Sequence, residues 1–229
     1  MKLNQFVPAT IFAALGLFVP LSQAQTTVLD NTSLSSIGGS TTLASYQSGV
    51  GPRPPRITEM TSGFTTGSSD SVLDSITLDL STGSGSGFTL SLYADNGSSL
   101  PGSLLETLTG NASPTAGGLV TYTSSGTALA ANTTYWWVAS VAAPTAGNFS
   151  TVTTGDSAGT SPEGWTFAST YQGNGSGSWN NIGSTAQFSV AATIDAVPEP
   201  STLALAGMGG LGLLMMFRRT AQNAKKSQA

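Results

Sequence analysis

The sequence predicts an all-β fold, an antiparallel β-sandwich of jelly-roll type, between two terminal segments of different character. Short segments alternate apolar and polar residues with a period of two, and clusters of Gly, Pro, Asn and Ser separate them. No helical apolar period of useful length occurs between the ends. The 229 residues include 65 Ser and Thr, 28 Gly and 11 Pro, a composition that suits many turns. We expect around ten strands in one domain that spans residues 25–196.

The clearest strand pattern lies at residues 75–80, where every second side chain is apolar, and residues 88–93 repeat it. Residues 81–87, rich in Gly and Ser, are long enough to turn a hairpin between these two strands. Asp95-Asn96-Gly97 is a strong turn signal. Further strands are predicted at residues 104–108, 119–123, 134–142, 149–153, 164–168 and 186–194.

Composition excludes several kinds of chemistry. Because Cys and His are both absent, we expect no catalytic triad, Cys/His zinc site, iron–sulfur cluster or disulfide. Between residues 25 and 197, Arg53 and Arg56 stand against ten acids, a net charge of −8. Such a surface repels phosphate, so we expect no nucleic-acid partner. We predict no catalytic residue, metal or cofactor.

Residues 1–24 have the pattern of a secretory signal peptide. Lys2 supplies the positive charge, residues 11–19 form an apolar run, and Ser22 and Ala24 are the small residues that signal peptidase requires. The predicted cleavage lies between Ala24 and Gln25. The alternative, a buried N-terminal helix, is disfavoured by Pro20. The domain is therefore predicted to be exported.

A second hydrophobic segment, residues 203–217, is followed directly by Arg218 and Arg219. A helix of this length spans about 22 Å, short of the roughly 30 Å hydrocarbon core, which suits a transient anchor in the inner membrane. The arginine pair acts as a membrane stop signal, and by the positive-inside rule the basic residues 221–229 stay in the cytoplasm. A buried core helix, the alternative, leaves the basic cluster unexplained.

Immediately before this segment stands Val197-Pro198-Glu199-Pro200. The order of this motif, a short apolar helix and an arginine pair, over residues 197–220, resembles the PEP-CTERM sorting signal of Gram-negative bacteria. The resemblance implies an exosortase, a membrane protease-transpeptidase, as the processing partner. It also implies an exopolysaccharide-producing host and a surface or biofilm location. The two prolines favour an extended, accessible backbone around Glu199.

The domain itself resembles the choice-of-anchor R module, a bacterial extracellular domain. The residues that carry this likeness are Phe64-Thr65-Thr66-Gly67, Ile76-Thr77-Leu78, Leu92-Tyr93-Ala94-Asp95-Asn96-Gly97, Pro101-Gly102 and the segment 129–138. The resemblance implies a β-sandwich surface module and supplies no activity.

Internal candidates for chemistry are few. On a strand, Trp136 and Trp137 point to opposite faces, so one is expected in the core and the other is free to join a sugar-stacking platform with Tyr93, Tyr171, Trp165 or Trp179. The hypothesis names Trp137, Trp165 and Trp179 as carbohydrate-binding residues, against the alternative that these rings only pack the core. Asp70, Asp74, Asp79 and Asp95 are candidates for a structural calcium, although turn capping is the commoner role.

The sequence thus predicts a non-enzymatic, exported surface or matrix protein that is sorted at its tail. The alternative function is a carbohydrate-binding module that attaches to exopolysaccharide. A hydrolase is a third hypothesis, which requires two facing carboxylates in a cleft.

Overall fold

A computed structural model of the chain describes residues 25–36, 40–49, 55–115, 117–143, 147–155 and 164–194, with Gly159, Ser161 and Gly210. The elements found in these ranges are fourteen β-strands, and every pairing among them is antiparallel. Their bounds are β1 Thr26–Asp30, β2 Ser40–Gln47, β3 Arg56–Thr65, β4 Ser71–Gly85, β5 Phe88–Asp95, β6 Pro101–Thr107, β7 Gly118–Thr123, β8 Ala128–Leu129, β9 Thr134–Val141, β10 Gly147–Thr154, β11 Thr166–Gly173, β12 Trp179–Asn181, β13 Thr185–Ala186 and β14 Phe188–Ile194. The prediction of an all-β antiparallel fold is confirmed.

The strands form two layers joined by shared strands. The first sheet runs β1-β14-β4-β10-β2, with β7 and β8 also paired to the long strand β4. The second sheet runs β12-β11-β3-β9-β5-β6. Strand β3 belongs to both sheets, because its first residues pair with β2 and the rest pair with β9. A strand that switches sheets in this way makes a corner of a sandwich.

Aromatic side chains from the two inner faces meet in the core. Trp137 of β9 packs edge-on against Phe188 of β14, with ring centroids 5.4 Å apart. Phe167 of β11 contacts the same ring at 5.1 Å. Because Trp137 and Phe188 are both fully buried, these contacts join the second sheet to the first and hold the sandwich without a disulfide.

Most of the predicted strands are present, with one correction to their connection. Strands β4 and β5 contain the two segments predicted from their alternation, but they do not form a hairpin. Strand β4 continues to Gly85 and pairs there with β10, whereas β5 pairs with β9 and β6 in the other sheet. The prediction of a hairpin loop at residues 81–87 was wrong. Residues 81–85 extend β4, and residues 86–87 connect it to β5 in the other sheet.

The predicted turn after β5 is confirmed. The Gly97 N–H donates to Oδ2 of Asp95 at 2.7 Å, and the Asn96 N–H donates to the Leu100 carbonyl at 3.0 Å. Gly97 has a φ of 82°, a left-handed conformation that glycine adopts without steric cost. The turn joins β5 to β6 as a hairpin.

Both terminal predictions lie outside the described residues. The signal peptide with its Ala24/Gln25 cleavage, and the hydrophobic segment 203–217 except Gly210, therefore stay predictions. In the part of the chain that is described, no helix has the length and apolar character needed to cross a membrane. The last described strand ends at Ile194, beside the Gly67–Ser69 loop that follows β3.

Candidate functional site

A groove of about 210 Å³ lies on the outer face of the second sheet, on the side away from the core. Strand alternation places every second residue of β3, β5 and β9 on this face, and the register sets them side by side. The groove is lined by Glu59, Ser91, Tyr93, Val138, Ser140 and Trp179, among others. We call it the Glu59 groove. It combines a carboxylate, two partly exposed aromatic rings, one of which is a phenol, and two serine hydroxyls.

Trp179 reaches this groove from the edge strand β12. Gly173 of β11 is paired with Trp179 on one side and with Glu59 on the other. A Cβ atom on Gly173 would lie 2.8 Å from two ring carbons of Trp179, too close for real contact. The missing side chain therefore lets the indole lie across β11 toward Glu59.

The carboxylate of Glu59 is half-buried, and among the described residues it has neither a hydrogen-bond donor nor a cation partner. Burial raises the pKa of Glu59 above its usual range, because removal from water disfavours the charged form. Burial also raises the pKa of Tyr93, and the negative charge of Glu59 adds to this effect. The two groups thus influence each other across the groove.

Trp136 packs beside the groove instead of lining an exposed platform. It points out of the sandwich, opposite to Trp137, yet it is fully buried. Its indole lies against Gly63 and Tyr171, and its Nε1–H donates to Oδ1 of Asp95 at 2.8 Å. A fully covered ring of this kind supports the outer face but presents no stacking surface.

Two of the three predicted sugar-stacking tryptophans are core residues. Trp137 is fully buried between the sheets, and Trp165 is 2% exposed and stacks on Phe64 at 5.8 Å. Burial overturns the surface role predicted for both, because neither ring has a free face. Trp179 is partly exposed and lines the Glu59 groove, which keeps it as a candidate.

The four aspartates considered for calcium do not form one site, and three of them accept hydrogen bonds within the fold. Asp70 accepts a hydrogen bond from the Ala131 N–H at 2.9 Å, Asp74 accepts from the Thr193 hydroxyl at 3.0 Å, and Asp95 holds Gly97 and Trp136. Burial raises the pKa of Asp79. Within the described ranges, no three acidic residues converge as metal ligands.

A second glutamate has the opposite setting. Glu106 of β6 accepts hydrogen bonds from the Ser124 hydroxyl at 2.6 Å, from the Ser125 N–H at 2.5 Å and from the Thr127 hydroxyl. Although burial acts to raise its pKa, the bonds from these three residues outweigh burial and lower it to about 2. We call this arrangement the Glu106 clasp, because it ties the loop between β7 and β8 to the edge of the second sheet.

Two larger cavities lack the pairing of a free carboxylate with partly exposed aromatic rings that the Glu59 groove has. One, of about 470 Å³, contains Asp95 and Tyr135, but Asp95 is already bonded as described and the Tyr135 hydroxyl accepts from the Ala130 N–H at 2.9 Å. The other, of about 330 Å³, is lined mainly by small polar residues of β11 and by residues 181–185. Among the lining residues described for it, none is ionisable.

Glu59 is not among the site residues that the sequence predicted. The available signal was a lone acid in a strand of otherwise uncharged residues after Arg56, on the same face as Ile57 and Thr61. That pattern marks the outward face of β3, but the residues that share the groove with Glu59 come from strands 32 residues and more away along the chain.

The described β-sandwich is followed by the segment in which the sequence predicts a sorting tail. Residues 196–219 match the family model of the PEP-CTERM protein-sorting motif. The predicted PEP-CTERM sorting signal is therefore confirmed at these residues, and such a motif implies a secreted, membrane-anchored precursor that an exosortase processes. No curated protein and no solved structure gives a significant match to the chain. The likeness to the choice-of-anchor R module stays a prediction. The same holds for the individual roles assigned to Val197–Pro200 and to Arg218-Arg219.

Proposed function

We propose that this protein is a non-enzymatic surface or matrix protein of an exopolysaccharide-producing Gram-negative bacterium. Its signal peptide directs export, residues 203–217 hold it transiently in the inner membrane, and an exosortase cuts near Pro198-Glu199-Pro200. The observation that carries this proposal is the sorting motif at residues 196–219.

The position of the motif relative to the fold supports processing at this point. The last strand ends at Ile194 and the matched region begins at residue 196, so only one residue separates them. Pro198 and Pro200 disfavour continuation of the strand ladder. An enzyme at the membrane surface would thus find the motif directly at the edge of the folded domain, with no linker to cross.

Replacement of Pro198, Glu199 and Pro200 by alanine tests this function. Because the enzyme would lose both the extended backbone and the charged handle, we expect an unprocessed, membrane-bound precursor to accumulate in the native host. The control replaces Gln222 and Asn223, which lie beyond the matched region, by alanine and should be processed normally. Intact-mass analysis of membrane and extracellular fractions reads the result. Normal processing of the triple variant would refute the proposal.

A non-enzymatic role is supported by the contents of the Glu59 groove. Retaining and inverting glycosidases both need two carboxyl groups on either side of the scissile bond. Among the residues that line this groove, Glu59 is the one carboxylate, and Glu106 is committed to the clasp. The groove therefore fits binding better than hydrolysis.

Carbohydrate binding is the second candidate function, and the Glu59 groove favours it. Two partly exposed aromatic rings, Trp179 and Tyr93, share the groove with a carboxylate and hydroxyls, the mixture that recognises sugar rings. The groove includes Glu59, near the start of β3, whereas the end of the last described strand, Ile194, lies beside the loop that follows β3.

A further inference from the structure

We propose that the Glu59 groove binds a pyranose sugar that carries hydrogen-bond donors and no acidic group, with Glu59 as the residue that selects it. This inference rests on the carbohydrate-binding function proposed above and names the class of sugar. It assigns the selection to one carboxylate on β3 and the apolar contact to Trp179 and Tyr93.

The dimensions of the groove fit one sugar ring. Its volume of about 210 Å³ is below the roughly 300–1,000 Å³ of pockets for drug-sized ligands. The indole of Trp179 lies over β11 because Gly173 leaves room for it, and Tyr93 stands on β5 opposite Trp136 and lines the same groove as Val138. These two rings flank the space above Glu59 and offer apolar faces to the C–H side of a pyranose.

Glu59 supplies the polar contact. An ionised carboxylate has about four acceptor positions, and partial removal of its charge from water without new hydrogen bonds is unfavourable. None of the hydrogen bonds among the described residues joins Glu59 to another polar group of the groove. The Ser91 hydroxyl pairs with Thr107 at 3.1 Å and the Ser140 hydroxyl pairs with Thr89 at 2.8 Å. A ligand with several O–H or N–H donors would supply the missing hydrogen bonds.

Charge determines which sugars are accepted. Glu59 is the one ionised group expected in the groove near neutral pH, and the domain around it carries a net charge of −8. A uronic acid would bring a second carboxylate toward a partly desolvated one, and like charges repel strongly where solvent is excluded. Neutral hexoses and amino sugars satisfy Glu59 without this repulsion.

Affinity electrophoresis of the full chain in a mild detergent tests the assignment. The gels contain hydroxyethyl cellulose or galactomannan as neutral polysaccharides, chitosan as an amino-sugar polymer, or polygalacturonate as an acidic one. We expect retardation by at least one of the first three and none by polygalacturonate. Trp179→Ala should abolish retardation, and Glu59→Gln should weaken it about tenfold, since it removes a charge-assisted hydrogen bond. Retardation is measured against the same variant in a gel without polymer, because loss of a charge alters mobility by itself. Glu106→Gln removes the same charge outside the groove and should be retarded as strongly as the unmodified chain.

The outcomes separate the two levels of the proposal. Migration unaffected by any of the four polymers would refute carbohydrate binding, and this inference with it. Retardation by polygalacturonate, or retardation that Glu59→Gln leaves unchanged, would leave carbohydrate binding in place and overturn the role of Glu59. The neutral and chitosan gels show which of the two accepted sugar types is bound. Far-ultraviolet circular dichroism of each variant confirms that the sandwich is intact.

Discussion

The Glu106 clasp and the Glu59 groove place the same side chain in opposite environments on one sheet. Glu106 accepts hydrogen bonds from three residues of one loop, and its pKa falls to about 2. Glu59 has no donor among the described residues, and burial raises its pKa. In the first case hydrogen bonds favour the charged form more than burial opposes it, and in the second case burial acts alone.

The contrast distinguishes a carboxylate with a structural role, Glu106, from one that we propose binds a ligand, Glu59. Glu106 is satisfied within the fold, so its charge contributes to stability and nothing further is needed to explain it. Ionised Glu59 costs some stability in the free protein, because a partly desolvated charge without protein donors is unfavourable. Residues of this second kind are concentrated at functional sites. The comparison can be tested at each glutamate in turn.

Glu106→Gln should have the largest effect on stability. The substituted amide keeps the shape of the carboxylate but turns an NH₂ group toward groups that donate. We expect a loss of about 1–2 kcal/mol in the free energy of unfolding at pH 7, after allowance for solvent screening at a partly exposed site. Urea unfolding of the processed chain, followed by circular dichroism, measures it.

The pH dependence identifies the cause of that loss. Because the folded pKa of Glu106, about 2, lies below the ordinary value of 4.5, its stabilisation is complete above pH 4.5 and disappears as the pH falls toward 2. The difference between Glu106→Gln and the unmodified chain should therefore shrink over this range. A difference that stays constant from pH 7 to pH 2.5 would show that the clasp does not depend on the charge.

Glu59→Gln should have a smaller effect of opposite sign. The raised pKa means that both states are protonated below pH 4.5, and that ionisation costs folding free energy as the pH rises through the folded pKa. The neutral amide avoids this cost, so we expect a gain of less than about 1 kcal/mol at pH 7 and no gain at pH 4. Urea midpoints at the two pH values measure it. Destabilisation at pH 7 would mean that Glu59 has a partner within the fold.

Much of the fold was predictable because its signals are local. The alternation of β4, β5 and β14 and the turn at Asp95-Asn96-Gly97 depend on neighbouring residues, and the structure confirms them. The connection between β4 and β5 was not predictable in this way. Whether a Gly/Ser segment closes a hairpin or continues a strand depends on β10, which lies more than 60 residues away.

The candidate site depended even more on distant contacts. The tandem at Trp136 and Trp137 was correctly placed on opposite faces, but the sequence contains no sign that Tyr171 and Asp95 cover the outer ring. Trp165 is buried through its stack on Phe64, a residue 101 positions earlier. Exposure is a property of the assembled sheets, whereas the sorting motif is contiguous and was therefore legible without the fold.

Gly173→Ala should have the smallest effect on stability, and it should change the pKa of Glu59 without changing that of Glu106. The new methyl group meets the Trp179 ring, which is at a partly exposed edge and can move aside, so we expect a stability change within about 0.5 kcal/mol. Displacement of the ring admits water to Glu59, and the pKa of Glu59 should fall toward 4.5 while that of Glu106 stays near 2.

Because the chain has only four glutamates, ¹³C labelling of their carboxyl carbons allows each to be titrated by NMR, with assignment by Glu59→Gln and Glu106→Gln. An unchanged pKa of Glu59 would show that Trp179 does not shield Glu59 from water. Tyr93 and Val138 would then be the residues that exclude water from it.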